Sequence, residues 1–443
     1  MKQKICSRLV LVVTLIVLMM TPGLVQGSQT NEYRGSISTN TTSPAVAPWF
    51  FNTVDTPHNF GQYVSLAFDP VNNTPYVSYY DATYKDLRMA KYVGSGGNCG
   101  PNNNWSCETV DSAGDVGKYS SIGVDPTDNY PIIAYYDATN GALKLAIGSA
   151  VGWLFKTVHD PLIGSAGLYA SLKLDSTGKT RFAYYFSNLL GDDSLWYGKY
   201  VGGGAGNCGG NDYQCDPIDS GDQVGKYASL ALDSSDRPRI AYYHGGNNAL
   251  RYAYEFGGNW TIRDILPTNS GQFASLYVDV DNGDLPHIAH YDSSNGKLGY
   301  ALYVGSGGNC GFNSSSTKFE WQCDEIESVG TGTHPKGVSL VTDGAGYPVI
   351  AYQSGESVLK VARPAIAQGL LVGNCGPESL FYTWQCDPIR VGIGVSMGDY
   401  VSLAVNSTGL STIAYYGNIA ASDGDLIVAY QRLQVFLPLA LNN

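Results

Sequence analysis

The chain has 443 residues, only 14% of them charged, and a formal net charge of −12. Phosphate binding needs clustered Lys and Arg, so this balance excludes nucleic acid as a partner class. Beyond residue 20 no uninterrupted apolar run is long enough to cross a bilayer, so the processed chain is expected to lack a membrane span.

Lys2, Lys4 and Arg8 precede an apolar run from Leu9 to Met20, and Pro22 and Gly23 break it. Val25-Gln26-Gly27 then offers a small-residue cleavage site. This predicts a signal peptide over 1–27, with an uncleaved anchor as the alternative, and a secreted, extracellular or cell-surface protein. Its removal takes three positive charges away, which leaves about −15 (−12 minus 3). Residues 28–47, rich in Ser, Thr, Asn and Pro, read as a flexible leader.

From residue 48 onward the chain repeats. Gly225 to Asp233 (GKYASLALD), followed by Arg239 to Tyr243 (RIAYY), occurs in seven versions. The equivalent serines are Ser65, Ser121, Ser171, Ser229, Ser275, Ser339 and Ser402, at successive differences of 56, 50, 58, 46, 64 and 63. Each unit predicts four short strands: an apolar one after a glycine, a second such as 131–136, a third such as 250–254, and a fourth that starts near an aromatic, such as 153–158. Asp, Asn, Gly and Ser mark the turns between them. Ile132, Ile133, Ala134, Tyr135 and Tyr136 cannot all share one face of a strand, so both faces of each sheet must be covered. Small sheets stacked radially achieve this, and one blade cannot bury its own faces alone. The predicted fold is all-β, a seven-bladed β-propeller of four-stranded blades over 48–431. The seventh unit stops after its third strand. Trp49 to Asp55 (WFFNTVD) matches the fourth strand at 105–111, so the N-terminal segment is expected to supply the last outer strand and close the ring.

Cys6 falls in the signal. The other eight cysteines form four local pairs: Cys99 with Cys107, Cys208 with Cys215, Cys310 with Cys323, and Cys375 with Cys386. Each pair begins in Gly-Asn-Cys-Gly and sits between the third and fourth strands of a longer unit. A disulfide clipped across a hairpin loop explains this. A zinc site would need ligands from separate blades to converge, and Cys-x-x-Cys is absent. Such clips contribute roughly 2–3 kcal/mol each in the chain-entropy model.

Propeller geometry places the fourth-to-first and second-to-third loops on one face, opposite the cysteine loops. Gln62, Lys118, Lys226, Gln272, Lys336 and Asp399 precede the first strands there. Asp81, Asp137, His244, Asp292 and Gln353 follow the second strands. Tyr80-Asp81, Tyr136-Asp137, Tyr243-His244 and Tyr291-Asp292, with Lys118 and Lys226, are therefore the candidate ligand-binding residues. They suit stacking on sugar faces and accepting hydroxyl hydrogen bonds. The plainer role is tyrosine packing between blades with Asp capping a turn. The repeated serine is expected to satisfy a backbone group of a neighbour.

Asp279 to Asp284 (DVDNGD) resembles part of a calcium loop but lacks the terminal Glu, and it sits where a hairpin turn is expected anyway. Neither a metal nor a cofactor is expected, Ca2+ there being the exception considered. His244 and His290 are the candidate catalytic groups, as general bases. His287 and His290 should point to opposite faces of their strand. Gly-x-Ser-x-Gly and His-Glu-x-x-His are absent.

Across 49–431 the Ser-Leu-x-x-Asp…Pro-x-Ile-Ala-Tyr-Tyr-Asp unit resembles that of exported bacterial propeller repeat proteins. The resemblance implies fold and compartment. The chain lacks the Trp-Asp of WD40 repeats, the double glycines of kelch and the Ser-x-Asp-x-Gly-x-x-Trp box of sialidase-type propellers. The tail over 432–443, with Val435 to Leu441 (VFLPLAL), looks like short apolar endings of bacterial exoproteins. The expected function is a monomeric binding scaffold, lectin-like, for a glycan or surface protein. A polysaccharide lyase or hydrolase and a structural cell-envelope component are the alternatives.

Overall fold

The computed structural model describes residues 47–432, apart from 189, 190, 192, 269, 331–336, 356, 377–381, 393–395 and 419–423. The predicted signal peptide, the leader before Ala47, Lys336 and the tail beyond Arg432 lie outside the described residues.

Seven antiparallel sheets follow one another along the chain. Blade 1 runs Phe60–Phe68, Pro75–Asp81, Asp86–Tyr92 and Trp105–Asp111 from the centre outward. Blades 2 to 6 repeat that order. Blade 7 is completed by the N-terminal strand: Trp49–Asp55 pairs antiparallel with Gly424–Gln431, from Trp49 opposite Gln431 to Asp55 opposite Leu426. Trp49 and Phe51 pack against the cluster that contains Tyr415. The expected closure holds. Blade 5 departs from the four-strand expectation. Its long cysteine loop zips into a short fifth strand, Cys310–Asn313, paired with Lys318–Ser328.

The core is seven apolar clusters, each shared by two consecutive blades. Ile132 and Ala134 belong to the seam with blade 3, and Ile133 and Tyr135 to the seam with blade 1. Period-two alternation thus feeds both faces of one strand into different cores, which is why the strands read as continuous apolar runs.

The innermost strand of each blade is an edge, and an edge leaves backbone N–H groups without ladder partners. The repeated serine meets this need at every seam. Ser65 Oγ accepts from Ile122 N at 3.1 Å, Ser121 from Leu172 at 3.0 Å and Ser171 from Leu230 at 3.0 Å. Ser229 accepts from Leu276, Ser275 from Leu340 and Ser339 from Leu403, each at 2.9 Å. Ser402 accepts from Leu66 at 3.0 Å, so the circle returns to blade 1. The last residue of the motif caps its own hairpin turn, as Asp175 does by accepting from Thr177 N and Lys179 N at 3.0 Å.

The four expected disulfides are present. In each Gly-Asn-Cys, the Asn side chain grips the backbone of the second cysteine: Asn98 Nδ2 donates to Cys107 O at 2.9 Å, and Cys107 N donates to Asn98 Oδ1 at 2.7 Å. A Cβ on Gly97 would lie 1.8 Å from the Trp105 carbonyl oxygen, so only glycine fits there. The clips hold an aromatic and a cysteine over the preceding seam, as with Trp105 and Cys107 between blades 7 and 1. Four disulfides fit an extracellular protein. Among the described residues no helix is long and apolar enough to cross a membrane.

Deleting residues 48–56 removes the outer strand of blade 7 and exposes a strand edge. We expect the melting temperature to fall by more than about 10 °C, or the cooperative transition to be lost. A variant that melts with the parent chain would contradict closure by this strand.

Candidate functional site

The first tyrosine of each Tyr-Tyr pair points into the seam with the preceding blade. There it meets the residue at the end of that blade's outer strand and one from its own third strand. Four seams carry an acid, a tyrosine and a cation. Asp55 accepts from Tyr79 at 2.5 Å and pairs with Arg88 at 2.9 Å. Asp111 accepts from Tyr135 at 2.5 Å and pairs with Lys144 at 2.7 Å. Asp219 accepts from Tyr242 and pairs with Arg251, both at 2.7 Å. Glu327, Tyr352 and Lys360 repeat the set. Burial and the adjacent carboxylate hold these phenols protonated, with pKa values well above the ordinary tyrosine value.

Three seams depart from the set. Between blades 6 and 7, Arg390 lies 4.9 Å over the Phe51 ring. Between blades 4 and 5 the equivalents are Leu266, His290 and Gly299, paired in the same register as elsewhere. Between blades 2 and 3 they are His159, Tyr184 and Trp196. His159 Nδ1 lies 2.8 Å from the Tyr184 hydroxyl, and the Trp196 ring centroid lies 4.8 Å from the imidazole. A cavity of about 530 Å3 opens at this seam, bounded by His159, Trp196, the base of the Cys208–Cys215 clip and Asp216.

The other concavity is the mouth of the central channel. Tyr63, Tyr119, Tyr169, Tyr227, Phe273 and Tyr400 stand side by side, with neighbouring centroids 4.5 to 4.7 Å apart. Gly337 takes the equivalent place in blade 6, and the enclosed space is about 190 Å3. Burial and the neighbouring phenols raise the pKa of the Tyr119 and Tyr169 hydroxyls. All six aromatic residues have φ between 51° and 55°, where bulky side chains are rarely found. The glycine two residues earlier lets the chain bend: a Cβ on Gly117 would lie 2.7 Å from Leu87 Cα of the preceding blade. A second ring lies behind the first, with Tyr63 and Tyr80 centroids 6.0 Å apart and Tyr227 and Tyr243 6.2 Å apart.

The sequence candidates divide by this geometry. Tyr80, Tyr136 and Tyr243 belong to the second aromatic ring, facing Tyr63, Tyr119 and Tyr227. Tyr291 is buried and donates to the Gly330 carbonyl at 2.7 Å. Lys118 pairs with Asp115 at 2.7 Å and lies 5.4 Å over the Tyr80 ring. Lys226 donates to Gln223 at 2.7 Å and lies 5.8 Å over the Tyr185 ring. Asp81, Asp137 and Asp292 cap the following turns: Asp81 accepts from Thr83 N, Asp137 from Thr139 N and Asp292 from Ser294 N. His244 does the same through Nδ1, accepting from Asn247 N at 3.1 Å.

The two candidate histidines are not brought together. His290 is 2% exposed within the seam of blades 4 and 5. Neither of its ring nitrogens makes a hydrogen bond of good geometry. Burial pushes its pKa down to about 4, against weaker opposition from Asp292 and the Tyr291 backbone. A Cβ on Gly299 would lie 2.4 Å from the imidazole, so glycine on the third strand makes the room. His287 does point the other way, to Tyr300 at 2.7 Å, and burial lowers its pKa to about 3.

In the calcium-like turn, Asp279 accepts from Asn282 Nδ2 at 2.7 Å, and Asp284 accepts from Ser234 N of the preceding blade at 2.6 Å. Among the described residues no group of three His, Cys, Asp or Glu converges as a metal site.

Sequence reasoning passed over His159 and Trp196. A signal existed. Six of the seven tryptophans, Trp49, Trp105, Trp153, Trp260, Trp321 and Trp384, lie on outer strands, and Trp196 alone is on a third strand.

Comparison with solved structures gives the same fold. The BP39L lectin from Burkholderia pseudomallei is similar at TM-score 0.53 and 14% identity, over 82% of this chain and 98% of that one. AofleA from Arthrobotrys oligospora reaches TM-score 0.46 at 10% identity, over 78% and 90%. The polysaccharide lyase Uly1 reaches 0.45 at 10%, over 94% of each. At 14% identity the likeness to BP39L shows the fold alone. No family model and no curated protein matches the chain.

The buried imidazole of His290 makes a pH prediction. Above pH 6.5 it is neutral in both the folded and the unfolded chain. As pH falls from 6.5 towards 4, the unfolded chain takes up a proton that the folded chain refuses, so stability falls. In His290→Leu the loss over this window should be shallower by up to about 1.4 kcal/mol per pH unit, read by denaturant unfolding at a series of pH values. Equal slopes in variant and parent would contradict a buried neutral His290.

Proposed function

We propose that the chain is an exported, monomeric binding scaffold whose loop face recognises a glycan or a surface protein, with the aromatic mouth of the channel as the recognition surface. The observation that carries this reading is the conformation of Tyr63 and its five equivalents. Each is a bulky residue at positive φ, at a cost on the order of 1 kcal/mol or more. That cost recurs six times to stand an aromatic at the mouth, half-buried and edged by hydroxyls.

The surrounding chemistry fits a polyhydroxylated or mixed ligand. Aromatic faces bind apolar sugar faces or side chains, and phenol hydroxyls donate and accept. Lys118 and Lys226 add cations on an otherwise acidic protein. The lectin likeness supports no more than the suitability of the fold. The enzyme reading draws less support: His290 has no opening, and His244 Nδ1 already accepts a backbone N–H.

The test is a glycan array with a surface-protein pull-down, run on the processed chain and on Lys118→Ala with Tyr136→Ala. We expect a retained ligand whose binding weakens at least about tenfold in the double variant. No ligand from either assay, or binding unchanged in the variant, would contradict the mouth as the recognition surface.

A further inference from the structure

The seam between blades 2 and 3 departs from its four regular counterparts at two positions at once. His159 stands where they carry a carboxylate, and Trp196 where they carry Arg or Lys. The departure coincides with the roomier of the two concavities described above. At about 530 Å3 it lies in the size range of small-molecule sites. It sits on the outer flank of the ring, between the outer strand of blade 2, Gly152–His159, and the outer part of blade 3, away from the channel mouth.

Blade packing does not require an indole at position 196, since Arg88, Lys144, Arg251 and Lys360 serve there in other blades. Both unusual side chains are nevertheless fixed. Trp196 Nε1 donates to Ser194 Oγ at 2.8 Å. The His159 ring lies parallel to that of Phe186, at 11° and 5.9 Å, and its Nδ1 faces the Tyr184 hydroxyl. Nε2 is the imidazole nitrogen left for a ligand. Burial lowers the pKa of His159, so the ring is neutral near pH 7 and brings no charge. A rigid aromatic wall with one fixed polar group is pre-organised, which reduces the ordering cost of binding.

The rim adds an exposed carboxylate, Asp160, next to His159. Carboxylates accept hydroxyl hydrogen bonds and repel anions. The base of the clip, Gly209 and Gly210, has no side chains and lets a flat ligand approach the backbone.

We infer that this groove binds a neutral sugar ring, stacked on Trp196, with its hydroxyls held by His159 Nε2 and the Asp160 carboxylate. Uronic and sialic acids are excluded by the rim. The site is separate from the channel mouth, so either can fail without the other.

The experiment is saturation-transfer NMR of the processed chain. The probes are neutral methyl glycosides of the gluco, galacto, manno and xylo series, with glucuronate, N-acetylneuraminate and tetramethylammonium as contrasts. At least one neutral glycoside should bind, with affinity reduced about tenfold or more in Trp196→Ala and in Pro217→Trp. Pro217 is exposed and stands opposite Trp196 on the same face of the sheet, so its replacement fills the groove without removing core packing. If Trp196→Ala does not fold, Pro217→Trp alone decides. Lys118→Ala should leave this binding unchanged. Three results would overturn the inference: no neutral glycoside binds, the acids or the ammonium ion bind better, or binding survives in Pro217→Trp.

Discussion

A hydroxyl repeated seven times holds this molecule in a circle. Each blade leaves the inner edge of a sheet facing the channel, with backbone donors that no strand can satisfy. A serine from the preceding blade accepts one of them, always at the residue after the next serine. Leaving such a buried donor unsatisfied costs about 1–3 kcal/mol. The bond is local to one seam, yet it works only if the seams form a closed series. Ser402 has a partner because Leu66 comes round to meet it, and Leu66 is in place because Trp49–Asp55 completes the seventh blade. Chain closure and the central clasp are therefore one device.

The same logic separates scaffold from recognition. Features repeated in every blade serve the ring: the serine clasp, the Asp (Asn406 in blade 7) that caps the first hairpin and the alternating apolar strands. Features repeated in four seams but broken in the other three mark places where the scaffold has been relieved of a duty. At blades 4 and 5 the break is silent, since Leu266, His290 and Gly299 fill one another's space. At blades 2 and 3 it leaves a cavity with fixed aromatic walls. At the channel mouth the repetition itself is the feature, because six strained aromatics face one opening.

Much of the architecture was legible in the residues. The seven serines set the period, the five apolar residues from Ile132 required two covered faces, and WFFNTVD declared itself an outer strand without a blade. The cysteine frames gave four pairings, because each alternative joins different blades. The turn-capping role of Asp81 and Asp137 followed from the turn residues after them. What could not be read was which position in each unit faces which seam at what depth. Asp55, Asp111 and Asp219 look like strand-end acids in sequence, and only three-dimensional pairing shows them joined to Tyr79, Tyr135 and Tyr242. The channel aromatics were visible near the start of six of the seven first strands. Their meeting at one point depends on the positive φ that the preceding glycine allows, a bend that apolar periodicity does not encode. The extra strand of blade 5 was hidden as well: its longer polar loop extends the pairing of Cys310 with Trp321 to Asn313 and Lys318, where the other clipped loops show a single bridge.

The central claim is that all seven clasps open only when the whole ring opens. Native-state hydrogen exchange of the clasped amides measures this most directly. The amides are those of Leu66, Ile122, Leu172, Leu230, Leu276, Leu340 and Leu403. The account predicts a common protection free energy for all seven, equal to that of global unfolding. Leu66 exchanging far faster than the other six would show the ring opening at the junction of its first and last blades, and would contradict it.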